Sequence, residues 1–101
     1  MNEESENNIE SRMKARGEHP VLTLRYDGEE SVLRYAVGAT AAKPSMYSIY
    51  AEYTANGKTT AEVIPAFSRT RDTAENFCAL LARFSVTPLS LHALYEDSLT
   101  P

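Results

Sequence analysis

The sequence predicts an α+β fold: a four-stranded antiparallel sheet of two hairpins, followed by two C-terminal helices packed on one face. Three observations carry this. Apolar and polar residues alternate with period two through residues 20–64. Turn dipeptides at Asp27-Gly28 and Asn56-Gly57 divide that stretch into hairpins. From Asp72 onward the apolar spacing changes to threes and fours. Strands grouped ahead of helices suit a helix layer on an antiparallel sheet rather than a parallel α/β arrangement.

The elements follow in order. Residues 1–18 hold one isoleucine, two methionines and one alanine among charged and amide side chains, which predicts a disordered polar tail. Ile9, Met13 and the Arg12-Lys14-Arg16 alternation would suit a short helix formed on contact with another surface, but composition favours the solvated tail. A single domain then spans residues 19–101. Leu22, Leu24 and Tyr26 share one face of the first strand, and Leu33, Tyr35 and Val37 share one face of the second. A connection over Asp27–Glu30 sets Leu24 opposite Leu33 and Leu22 opposite Tyr35. Gly38–Ser45 reads as a loop of small residues.

The third strand presents Tyr47, Ile49, Ala51 and Tyr53 on one side. Two turns are open to it at Asn56-Gly57. A two-residue turn pairs Ala51 with Glu62, whereas a three-residue loop with Gly57 in a bulge pairs Ala51 with Ala61 and Ile49 with Val63. The bulge is preferred because it keeps a glutamate off the buried face. Pro65 is expected to end the strand. Asp72 and Glu75 have the spacing of a capping box, and Ala74, Phe77, Cys78, Leu81 and Phe84 form the apolar face of the first helix. Thr87-Pro88 marks a joint, with either Thr87 or Ser90 as the next cap. Leu91, Leu94, Tyr95 and Ser98 form the stripe of the second helix.

The chain has 101 residues, a formal net charge of −4 and 24% charged residues, an ordinary balance for one soluble domain. An acidic chain lacks the basic footprint of a nucleic-acid binder, so no nucleic-acid partner is expected. One cysteine cannot form an internal disulfide, which fits a reducing compartment. The start MNEESENNIE carries neither a basic nor an apolar targeting segment, and no apolar run reaches the length of a membrane span. The expectation is a cytoplasmic, full-length protein without a membrane partner.

Few residues offer chemistry. Gly57-Lys58-Thr59 matches the end of a phosphate-binding loop, but that loop needs a glycine where Glu52 stands and a helix where strand residues follow. Cys78 lies on an apolar helix face, where a free cysteine is a small hydrophobe. His92 and Glu96, four apart, have the spacing of two metal ligands without a third. Arg71 near a helix N-terminus could hold an anion, but Asp72 and Glu75 already neutralise that end. Tyr26, Tyr35, Tyr47 and Tyr53 fall on the face under the helices, leaving Tyr50 alone outside with Glu52 and Glu62 beside it. That is not the basic, aromatic platform of an RNA-binding sheet.

From Pro44 to Leu99 the order of features is distinctive: Tyr47-Ser48-Ile49, Asn56-Gly57, Glu62-Val63-Ile64-Pro65, Thr70-Arg71-Asp72, Val86-Thr87-Pro88-Leu89 and Tyr95-Glu96-Asp97-Ser98-Leu99. On these motifs the segment resembles a small family of uncharacterised bacterial proteins, a domain of unknown function. The motifs are structural punctuation, and the resemblance implies no activity, cofactor or site residue.

The functional expectation is a non-enzymatic protein-interaction or regulatory module. Its surface would be the uncovered side of the sheet, with Val21, Val32, Tyr50 and Ile64 at an apolar centre and Arg34 and Glu52 at the rim. The occupant would be another protein or, most simply, a second copy in a two-fold homodimer. The alternative is a minor enzyme or a small-ligand or metal-binding domain using Cys78, His92 or Glu96.

Overall fold

A computed structural model describes the backbone of residues 8–99 and the side chains of residues 8–96. Seven elements follow one another: α1 (Ile9–Ala15), β1 (Glu18–Asp27), β2 (Ser31–Thr40), β3 (Tyr47–Ala55), β4 (Lys58–Ser68), α2 (Arg71–Arg83) and α3 (Pro88–Leu99). The strands form one antiparallel meander in the order β1-β2-β3-β4. The expected α+β layer is therefore present, with its two C-terminal helices on one face. Tyr35, Val37, Ile49, Ala51 and Ile64 of the sheet close against Ala74, Cys78 and Leu81 of α2 and Leu91 of α3 to make the main core.

The first correction concerns the N-terminus. Residues 1–7 of the predicted tail lie outside the described residues, but from Asn8 onward the chain is ordered into α1 and the start of β1. The Asn8 side chain caps α1 by accepting the Ser11 N–H at 2.8 Å. Ile9 and Met13, one turn apart, are buried against Ala36 and Tyr50 on the sheet face opposite α2 and α3, with Val63 packed alongside. From residue 8 onward the tail reading fails, because the sheet supplies the apolar partner that composition alone does not show.

Both hairpins also differ in register. Gly28 N donates to Ser31 O at 2.7 Å, closing a two-residue loop at Glu29-Glu30 that sets Leu24 opposite Tyr35 and Leu22 opposite Val37. This lies two residues from the expected pairing, so every side chain keeps its expected face. In β1 a bulge between Pro20 and Leu22 adds the exception, turning Val21 toward the main core. The second hairpin takes the rejected two-residue turn. Asn56 and Gly57 both have positive φ, at 55° and 76°, as a type I′ turn requires. Ala51 therefore faces Glu62, and Ile64 rather than Val63 joins Ile49 in the core. Glu62 escapes burial because β4 is an edge strand whose side chain there stays 42% exposed, beside His92.

Pro65 does not end β4. An edge strand tolerates its missing N–H, and the strand instead bulges so that Ile64 pairs with Ile49 and Ser68 with Tyr47, with Ala66 left-handed at φ 50°. Phe67, beyond the bulge, stacks on Phe77 of α2 at 4.7 Å and tilts against Tyr95 of α3 at 5.6 Å.

The expected Asp72 capping box is absent. Thr70 occupies the N-cap without a side-chain bond to the backbone, and Glu75 is engaged by Arg71, whose Nε donates to Glu75 Oε2 at 2.6 Å. The helix closes past Phe84 with Ser85 left-handed at φ 51°. Ser85 N donates to Ala82 O and Val86 N to Leu81 O, a Schellman pair. Phe84 is thus carried past the last turn and is exposed, not an anchor of the helix as its spacing suggests. Pro88 opens α3 at its first position, and Leu91 is fully buried below it.

Candidate functional site

The sheet face predicted to be open is the face on which α1 lies. Of the six residues expected there, Val21 and Ile64 turn to the opposite core, through the β1 bulge and the two-residue turn respectively. Val32 stays on the α1 side, half-buried. Tyr50 is 0% and Glu52 3% exposed, so neither can serve as a free contact. Arg34 reaches from β2 to join Glu52 of β3 with Glu10 of α1.

That ionic cluster clasps α1 to the sheet. Glu52 Oε1 accepts from Arg34 Nη1 at 2.9 Å, and Glu52 Oε2 accepts from the Ile9 N–H at 2.9 Å. Arg34 Nη2 donates to Glu10 Oε2. Burial alone would raise the Glu10 carboxyl, but the Arg34 hydrogen bond and charge outweigh it and leave its pKa lowered. Burial likewise opposes the Arg34 charge, and Glu10 with Glu52 more than compensates, raising its pKa. A buried carboxylate on a charged partner and a backbone donor is a satisfied structural group. Behind it lies a second cluster at the start of β1. Tyr50 OH donates to Glu18 Oε1, Ser48 Oγ donates to Glu18 Oε2 at 2.7 Å, and Ser48 Oγ accepts from Ala66 N at 3.1 Å. Burial first, and Glu18 second, raise the Tyr50 hydroxyl pKa, so it stays a proton donor.

Of the residues of the alternative reading, Cys78 lies in the core and His92 outside it, on α3. Cys78 is sealed in the main core, where burial, helped by Glu75, pushes its thiol up to about 12. His92 sits half-exposed on α3 with Nε2 3.4 Å from Glu62 Oε1 of β4. Among the described residues no three His, Cys, Asp or Glu side chains converge as metal ligands. Gly57-Lys58-Thr59 enters a strand, as the hairpin reading requires. Tyr35 OH donates to Val86 O at 2.7 Å, tying the α2–α3 joint to the sheet, and burial with Cys78 and Tyr26 nearby pushes it up to about 12.

Among the described residues, exposed apolar surface lies elsewhere. Leu80 is 41% exposed and Phe84 63%, four residues apart at the end of α2, and Leu89 in the first turn of α3 is 85% exposed. The Arg83 guanidinium stands 5.6 Å from the centre of the Phe84 ring. Periodicity assigned Phe84 to the buried face, and only the Ser85 reversal explains why it is outside. No described helix is long and apolar enough to cross a membrane.

No protein-family model matches the chain, and comparison with curated proteins and with solved structures gives no match either.

Proposed function

We propose that this protein is a small non-enzymatic interaction module of the bacterial cytoplasm, engaging a protein partner through the apolar joint between α2 and α3. The observation that carries the reading is the exposure of Leu80, Phe84 and Leu89 around one tight turn, with Arg83 at their edge. Large apolar groups left in water at a rigid position, beside an arginine, have the composition of an interface centre. Rigidity comes from the Schellman closure and from Tyr35 holding Val86. A matching partner offers an apolar pocket with an acidic group for Arg83. The buried, unreactive Cys78 supports a non-catalytic role and a reducing compartment.

The test compares wild type with Phe84→Glu/Leu89→Glu, tagged and recovered from the native cell after crosslinking. Both positions are exposed, so melting temperatures should agree within a few degrees. A partner retained by wild type and lost from the variant supports the proposal. Equal recovery by both proteins refutes it, as does a metal or metabolite screen in which one ligand stabilises both proteins equally.

A further inference from the structure

Among the described residues the outer edge of β1 has no neighbouring strand, and its pattern is self-complementary. Because Gly28 N bonds Ser31 O, the alternation of an antiparallel pair makes Tyr26–Leu33, Leu24–Tyr35 and Leu22–Val37 the hydrogen-bonded pairs with β2. The N–H and C=O groups of Thr23, Arg25 and Asp27 therefore point away from the sheet, free to receive another strand. The other edge, β4, is broken by Pro65 and the left-handed Ala66. α2 lies over β2, β3 and β4, and α3 over β3 and β4, so the inner face of β1 is only partly roofed. Leu22 and Leu24 are half-buried there and Tyr26 is 49% exposed.

We infer that β1 pairs antiparallel with β1 of a second copy about a two-fold axis at Leu24, joining two sheets into one of eight strands. In this register Leu24 meets Leu24 of the second copy, and Leu22 meets its Tyr26, making a continuous apolar seam on the helix side. Thr23 and Arg25 then exchange backbone hydrogen bonds with Arg25 and Thr23 of the second copy. The charges suit a second copy. Val21–Asp27 carries one cation and one anion, already joined at 3.0 Å as Arg25 Nε and Asp27 Oδ1, so two edges meet without net repulsion although the chain is acidic overall. An axis at Arg25 would set two guanidinium groups directly opposite, and an axis at Tyr26 would set Leu24 against Gly28. The Leu24 axis avoids both. This interface lies on β1 and is independent of the α2–α3 joint.

Sedimentation at about 100 μM should show a dimer if pairing is micromolar. Thr23→Pro removes an outward N–H that the monomer does not use, and should give a monomer with unchanged circular dichroism. Leu24→Cys places two thiols at a non-hydrogen-bonded pair about 4.5 Å apart at Cα, within disulfide range. Oxidation should link its chains fully, whereas Tyr26→Cys, facing Leu22 of the second copy, should link poorly. Cys78 is buried and does not compete. A wild type that remains monomeric overturns the inference. So does a dimer in which Leu24→Cys fails to link, a readout that stands even if Thr23→Pro does not fold.

Discussion

Gly38 shows how one residue is set by its neighbours. It lies inside β2, near its end, where glycine is normally unfavourable, and a Cβ there would stand 3.0 Å from the Tyr50 ring and 3.2 Å from the Glu18 carboxylate. Tyr50 is fully buried and hydrogen-bonded to Glu18, so neither neighbour can yield freely. Gly38→Ala should therefore destabilise the protein by about 1–3 kcal/mol, as overpacking does, despite the better strand propensity of alanine. Urea unfolding measures this; an alanine variant as stable as wild type would show that the Tyr50–Glu18 contact is slack.

At the scale of elements, α1 is the part whose role differs most from expectation. Seven residues make a helix that would not persist alone in water, and its order comes from docking. Ile9 and Met13 supply the apolar contact, and Glu52, held by Arg34, takes the Ile9 N–H. Ile9→Ala should cost about 2–3 kcal/mol, the lower part of the range for a buried isoleucine, because α1 can shift to fill part of the space. Removing residues 2–17 should do more: it strips the cover from Tyr50 and leaves Glu52 with one fewer donor. Hydrogen exchange of the truncated protein should show lost protection at Tyr50 and Ala36. Unchanged exchange there would mean that α1 is not part of the folded unit.

For the whole molecule the titratable groups define a pH window. Cys78 and Tyr35 are neutral in the fold, with pKa values raised from 9.0 and 10.0 to about 12. The unfolded chain loses these protons first, so stability is fully present below pH 9 and falls as pH rises toward 12. On the acid side Glu10 has a lowered pKa. Its contribution is present above the ordinary carboxylate range and is lost as pH falls through the folded value, loosening α1. A melting-temperature profile checks both arms. Cys78→Ala should flatten the alkaline arm, and Glu10→Gln should flatten the acid arm. An alkaline arm that keeps its slope in Cys78→Ala would contradict the role given to burial.

Features that depend on neighbours along the chain are legible in the residues alone. The alternation of Leu22, Leu24, Leu33 and Tyr35 assigned faces correctly even with the pairing two residues off, because a strand repeats every two residues. The spacing of Ala74, Cys78 and Leu81 located the buried stripe of α2, and Pro88 located the start of α3. The remaining features depend on contacts between residues far apart in the chain. Whether Asn56-Gly57 forms two or three loop residues turned on how much of Glu62 stays in water, which depends on β4 being an edge. That one-residue difference exchanged Val63 for Ile64 across the sheet. The order of α1 was written in Asn8, Ile9 and Met13, yet two apolar side chains cannot offset the entropy of seven residues without a surface prepared to receive them. That surface, Ala36 and Tyr50, lies more than twenty residues away in the chain, and only the folded sheet brings it underneath. The predicted interaction face was consumed by this contact, and the exposed edge of β1 and the α2–α3 joint were left to face solvent instead.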